Sequence, residues 1–404
     1  MVLYLLLAAF LLSFGATVLL VPAVKAFALK RGFVDVPDGD RKTHPRPVPH
    51  IGGLAIAGGF AIGLAVLFAV RNSLPFNISL PGLAVLVGAV IMLITGYVDD
   101  TRDLGHKTKF VIQLGVAFML IQAGFRFDLS GMPYIGDEPF RMALVSIPLT
   151  LFWFVGIMNA VNLLDGMDGL TTGVSIIAFA ALASIFAING GDTGLIVIAV
   201  LMIGALGGFL VFNFNPASIF MGDSGSLFLG YMLGVFALMG PSQGSPVMAI
   251  VIPALVLGLP IMDTGVCFIR RILKGRSPFV ADNDHIHHRV SRLWNIRHGV
   301  LILYVVALSL GTAAIFASTM TAGIGILIAS GTFCIALYAV YLLGYSQHDW
   351  AGPTSESADP DRSNERYRLP SGRQSTQSAS TAHTSANIVK YSEIGRLHFG
   401  QSGS

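Results

Sequence analysis

The chain has 404 residues, of which 54% are hydrophobic and 12% charged, with a formal net charge of +3. A soluble domain carries about 25% charged residues; with a mean hydropathy of +0.72, this chain cannot hide its apolar surface in one water-soluble core, and the lipid bilayer is the expected solvent. The small basic balance fits lysines and arginines gathered on the cytoplasmic side of a membrane and gives no reason to expect a nucleic-acid partner, while two cysteines, Cys267 and Cys334, both in apolar stretches, exclude a disulfide framework and a thiol metal site.

A helix needs about 20 apolar residues to cross the hydrocarbon core. Eleven such segments are predicted, near 3–29, 51–70, 81–98, 109–124, 143–161, 170–188, 194–213, 225–240, 247–269, 299–317 and 321–344. The first is long and lacks a basic n-region, so it reads as an uncleaved helix rather than a signal peptide. Basic residues follow the first segment (Lys30, Arg31, Arg41, Lys42, Arg46), the third (Arg102, Lys107, Lys109) and the ninth (Arg270, Arg271, Lys274, Arg276, Arg289, Arg292, Arg297). The even-numbered loops hold only Arg71, Arg126 and Arg141. The odd-numbered loops are therefore expected in the cytoplasm. The predicted fold is an all-α integral membrane protein of about eleven transmembrane helices, N-terminus outside and C-terminus cytoplasmic. Residues 1–345 form the polytopic membrane domain. Residues 346–404, rich in Ser, Thr, Gly and charge, are expected to be a disordered cytoplasmic tail.

The polar clusters fall in odd-numbered loops, as one active site built from several loops would require. The first loop runs Lys42 to Gly53, stiffened by prolines, with Gly52 and Gly53 allowing close backbone approach. After the third segment come Asp99, Asp100 and Asp103, then Lys109. Adjacent carboxylates repel unless a cation or basic side chain neutralises them. A solvated helix end with a local salt bridge is the plainer reading of so short a pattern. After the fifth segment stand Asn159, Asn162, Asp165 and Asp168. The two asparagines share a helix face, which Asp165 continues, and amide and carboxylate oxygens suit Mg²⁺. A capped turn would explain the glycines but not the whole set. After the seventh, Asp223 opens a helix, where free N–H groups favour phosphate and keep a carboxylate ionised; an ordinary N-cap with glycines for packing explains the segment equally well. After the ninth come His285, His287, His288 and Arg289, whose spacing is poor for zinc and better suited to donating to sugar or diphosphate oxygens.

Together these motifs resemble the polyprenyl-phosphate N-acetylhexosamine-1-phosphate transferases, glycosyltransferase family 4. The resemblance covers Lys42 to Arg289, and the four clusters match in order and spacing. It implies an eleven-helix enzyme of the bacterial cell (inner) membrane. Such an enzyme moves N-acetylhexosamine-1-phosphate from a UDP-sugar to undecaprenyl phosphate at the cytoplasmic face and releases UMP. The His285–Arg289 string is similar to that of the subgroup using UDP-N-acetylglucosamine, for lipopolysaccharide or teichoic-acid synthesis. The muramoyl-pentapeptide branch, which usually carries a different histidine motif, ranks second.

The resemblance further implies Mg²⁺, with Mn²⁺ as a substitute, on Asn162 and Asp223. Asp99, Asp100, Asp165 and Asp168 are the catalytic candidates. Lys109, Asn159, His285, His287, His288 and Arg289 are the substrate-binding candidates. Direct attack by the lipid phosphate and a phospho-aspartyl intermediate both remain open, as does a homodimer. A secondary transporter is the competing class, but it should place polar groups near mid-bilayer in repeated halves, and the sequence shows no repeat. A structural membrane scaffold would not need four polar clusters.

Overall fold

The computed structural model describes residues 2–36, 47–71, 80–132, 138–240, 245–273, 275 and 295–344. Lys42–Arg46, the His285–Arg289 string and the tail expected over 346–404 lie outside the described residues.

Twelve helices follow one another among the described residues. They are α1 (Val2–Arg31), α2 (Gly53–Arg71), α3 (Leu80–Arg102), α4 (His106–Gln122), α5 (Pro139–Leu164) and α6 (Leu170–Ile188). After these come α7 (Thr193–Asn213), α8 (Gly222–Leu238), α9 (Pro246–Val256), α10 (Gly258–Leu273), α11 (Ile296–Ala317) and α12 (Ala322–Gly344). A short antiparallel ladder joins β1 (Val34–Asp35) to β2 (Val48–Pro49), with Val34 opposite Pro49.

Every predicted segment overlaps a helix, and the ninth overlaps two. Helices α9 and α10 meet at 85°. Hydropathy runs unbroken through the bend, but Pro260 stands in the first turn of α10 and has no N–H for the Val256 carbonyl. Its ring also crowds that carbonyl, so the helix cannot continue straight.

By length and composition seven helices can cross a membrane: α1, α3, α5, α6, α7, α11 and α12. The bent pair is an eighth if it counts as one span. The 17-residue helices α4 and α8 reach only about 26 Å, against a hydrocarbon core of about 30 Å. Large apolar side chains such as Leu11, Leu19, Phe152, Leu327 and Ile335 are exposed on the helices. Water would not tolerate so much apolar surface, whereas lipid does.

Helix α8 is the centre of the fold. It packs against α3 and α5, with further contacts to α2, α6 and α9, and is buried from Ser224 through Ala237. Small residues permit this: a Cβ at Gly230 would run into the Met158 backbone of α5, and one at Gly234 would press on the Phe154 ring. The Trp153 indole then donates to the Gly234 carbonyl at 3.1 Å.

Candidate active site

The site is built on the first turn of α8. The Phe220 N–H donates to the Pro49 carbonyl at 2.7 Å, and Gly52 and Gly53 donate back to Phe220 and Met221 at 3.0 and 2.9 Å. Glycine is required where these backbones meet. A Cβ at Gly53 would overlap the Gly225 backbone, and one at Gly96 would overlap the Asp223 carbonyl. Gly222 has a φ of 72°, and a side chain there would strike the His50 carbonyl. The start of α2 and the end of α3 are thus pressed directly against the turn that carries Asp223.

Each carboxylate of the Asp99–Asp103 pattern has its own task. Asp99 accepts the Leu104 N–H at 2.7 Å and the Lys109 ammonium at 2.6 Å. Asp100 accepts the Asp223 and Ser224 N–H groups at 2.8 and 3.0 Å. Asp103 takes a φ of 52°, in the left-handed region that Asp tolerates, just after α3 ends. The turn brings α4 back so that Lys109 reaches both Asp99 and Asp223, the latter at 3.1 Å. The other Asp223 oxygen accepts from Asn162 Nδ2 at 2.8 Å, and that nitrogen also meets the Ser226 hydroxyl at 2.8 Å. Side chains from α3, α4, α5 and α8 therefore converge on one carboxylate.

The remaining candidates from the Asn159–Asp168 run are placed differently. Asn159 donates to Gln113 Oε1 at 2.8 Å and to the Val155 carbonyl at 2.7 Å. Asp165 ends α5. Burial, then the charges of Asp223, Asp100 and Asp168, pushes its carboxyl up to about 7. Asp168 accepts from Asn215 Nδ2 at 2.9 Å and from the Ala217 N–H at 3.0 Å. It braces the 214–217 segment that leads to α8, and Arg297 holds the Asn215 carbonyl from the far side at 3.0 Å.

Three further side chains, to which the sequence reading assigns no role, join the site. His50 Nε2 lies 2.9 Å from the Asp100 carbonyl, Ser226 supports Asn162, and Gln113 supports Asn159. Only Ser226, one turn from Asp223, and Gln113, one turn from Lys109, carried a spacing signal.

Among the described residues no three histidine, cysteine or carboxylate groups converge closely enough to hold a metal by themselves. The donor set nevertheless fits Mg²⁺, which is usually bound through one or two carboxylates together with substrate phosphates and water. Asp223 supplies the carboxylate. Asn162 turns its nitrogen to Asp223 and Ser226, and its amide oxygen is the atom of this side chain able to ligate a cation. Two carboxylates, Asp99 and Asp223, share the one Lys109 ammonium, so the local charge favours a further cation.

A family model described as glycosyl transferase family 4 matches residues 82–241, the stretch from α3 through α8 that holds this cluster. The chain is 37% identical over 339 residues to the probable undecaprenyl-phosphate N-acetylglucosaminyl 1-phosphate transferase of Bacillus subtilis (strain 168), covering 83% of this chain and 88% of that one. It is 36% identical over 306 residues to the decaprenyl-phosphate N-acetylglucosaminephosphotransferase of Mycolicibacterium smegmatis, covering 70% and 74%. It is 31% identical over 295 residues to the undecaprenyl-phosphate alpha-N-acetylglucosaminyl 1-phosphate transferase of Escherichia coli (strain K12), covering 70% and 76%. With likeness over most of each relative's length, and with the matched stretch enclosing the carboxylates gathered around Lys109, the chain belongs to glycosyl transferase family 4.

Proposed function

We infer that the chain transfers N-acetylglucosamine-1-phosphate from UDP-N-acetylglucosamine to undecaprenyl phosphate, yielding a lipid-diphosphate sugar and UMP for cell-envelope synthesis. The names of the relatives support the donor sugar and the polyprenyl acceptor. The observation that carries the chemistry is Lys109 held between Asp99 and Asp223, with Asn162 on the other Asp223 oxygen. Two anionic substrates must meet at one phosphorus, so catalysis is mostly neutralisation and alignment. A cluster of carboxylates, an amide and an ammonium at the ends of apolar helices can do both.

Asp223 and Asn162 would hold Mg²⁺, with Mn²⁺ as a substitute. The ion would neutralise the donor diphosphate and stabilise the departing UMP. Lys109 would give its ammonium to the acceptor phosphate in exchange for part of its present ion pair. Asp99, already beside that ammonium, would orient the phosphate and take its proton. A phosphate oxygen would then attack the sugar-bearing β-phosphorus in line. The bond to the UMP oxygen breaks, while the sugar C–O bond stays intact. Asp165 would support the cation, and His285, His287, His288 and Arg289 would contact the sugar and its phosphate. Direct attack is favoured over a phospho-aspartyl route through Asp100, because both Asp100 oxygens are engaged by main-chain N–H groups.

The same reading sets eleven passes through the bacterial inner membrane, with the N-terminus outside and the C-terminus and site at the cytoplasmic face. Its support is the match of every predicted segment to one helix or to the bent pair. The lysines and arginines after α1, α3 and α10 point the same way. Purified protein given UDP-N-acetylglucosamine, undecaprenyl phosphate and Mg²⁺ should form a lipid-linked sugar and lose that activity with EDTA. No lipid-linked product under these conditions, with EDTA making no difference, would remove the proposal.

A further inference from the structure

Gln113 is almost wholly buried in α4, four residues after Lys109 and on the same helix face. Its Oε1 accepts from Asn159 at 2.8 Å, and Asn159 precedes Asn162 by three residues on α5. An amide pair therefore joins α4 to α5 one turn inward from Lys109 and Asn162. Helix α4 packs chiefly against α3 and α5, while Phe110, Val111 and Phe118 are exposed on its outer side. Its buried face toward these helices is otherwise apolar, with Val116, Ala117, Leu120 and Ile121, and apolar contact does not by itself fix a register.

The pair is poorly explained by stability. Gln113 Nε2 is buried and has no hydrogen-bond partner among the described residues, which carries a desolvation penalty. Leucine at 113 would remove that penalty. Asn159 would keep one of its two N–H bonds, to the Val155 carbonyl at 2.7 Å, and leave the other unmade, so one unpaired N–H replaces another. What leucine would lose is register: a hydrogen bond is directional and apolar contact is not.

We propose that Gln113 is a positioning residue: its bond to Asn159 sets the register of α4 against α5, and so holds Lys109 between Asp99 and Asp223 for the acceptor phosphate. This rests on the reading of Lys109 as the acceptor-phosphate residue.

The test measures KM for undecaprenyl phosphate, KM for UDP-N-acetylglucosamine and Tm on the full-length protein. Gln113→Leu should raise the lipid KM by about three- to tenfold, the range of one hydrogen bond between membrane helices. The donor KM should stay unchanged and Tm should change little. Gln113→Asn alone should show a similar lipid KM defect. Combining it with Asn159→Gln moves one methylene across the gap, rebuilds the bond and should restore the lipid KM; if Gln113→Leu does not fold, this exchange decides. An unchanged lipid KM in Gln113→Leu, a lower Tm with no selective lipid defect, or an exchange that restores nothing would overturn the proposal. Lys109→Ala, run alongside, separates the two ideas. If it raises the lipid KM while Gln113→Leu does not, only the positioning role fails. If it leaves the lipid KM unchanged, the reading of Lys109 fails first.

Discussion

Asp100 caps the helix that carries Asp223: its Oδ1 accepts the Asp223 N–H at 2.8 Å and its Oδ2 the Ser224 N–H at 3.0 Å. The carboxylate stands at the positive end of α8, so hydrogen bonding and the helix dipole act together. It does from α3 what an N-cap residue normally does from its own helix. Asp100→Asn turns an amide NH₂ toward one of these N–H groups. Both Tm and turnover should fall, with a stability loss of about 1–2 kcal/mol, the size of a lost cap. Asp99→Asn should reduce turnover with a smaller change in Tm. Thermal melts in detergent beside turnover assays would check this; equal Tm losses would contradict the division of labour.

Asp223 is the meeting point of Lys109, Asn162 and the capped turn. Asp223→Asn should abolish turnover, and excess Mg²⁺ should not restore it. Titrating Mg²⁺ against product formation would show this, and near-normal activity would contradict the metal role.

Lys109→Ala removes the ammonium shared by Asp99 and Asp223. The lipid-phosphate KM should rise by about tenfold or more, because a charge-assisted contact is lost. Initial rates with each substrate varied in turn would measure it. A change confined to UDP-sugar affinity would move Lys109 to the donor.

Asp165 gives a pH signature. Its carboxyl is pushed up to about 7 in the folded protein, whereas an unfolded Asp titrates near 3.9. Between these values the folded state binds more protons than the unfolded state, so this group's stabilising contribution is lost as pH rises through about 7. In cation-free protein, Asp165→Asn should raise Tm relative to the parent at about pH 8 and much less at about pH 5.5. Melting curves across that range would test it; a constant offset between the two proteins would contradict the shifted carboxyl.

Asp168 accepts two hydrogen bonds on one oxygen. Asp168→Asn can keep an oxygen there, but Asp168→Ala cannot. The alanine variant should lose about 1–3 kcal/mol of stability along with most activity, and the asparagine variant should retain much of both. If Asp168 served as an acid or base, asparagine would be as damaging as alanine, which paired melts and rate assays would reveal.

Much of this was legible in the sequence because the bilayer makes polar residues conspicuous. Asp99, Lys109, Asn162 and Asp223 stood out at the ends of apolar runs, and the structure brings them together. Adjacent residues on a helix point about 100° apart, so Asp99 and Asp100 had to face different neighbours. Only the packing of α3 on α8 shows that Asp100 meets backbone while Asp99 meets Lys109. Gln113 is a single amide in an apolar helix, marked only by its spacing of one turn from Lys109. The bend before Gly258 was hidden because apolar residues continue across it. The number of passes is likewise more than hydropathy decides, since α8 is apolar but short and enclosed by other helices.

The most direct test of the account follows the β-phosphorus of the donor. Purified protein is given UDP-N-acetylglucosamine labelled at the β-phosphate, undecaprenyl phosphate and Mg²⁺. The account predicts that label enters the lipid product and that unlabelled UMP leaves, in equal amounts. Sugar transferred to lipid with the label left in UDP would mean attack at the sugar carbon, and would contradict phosphoryl transfer at this site.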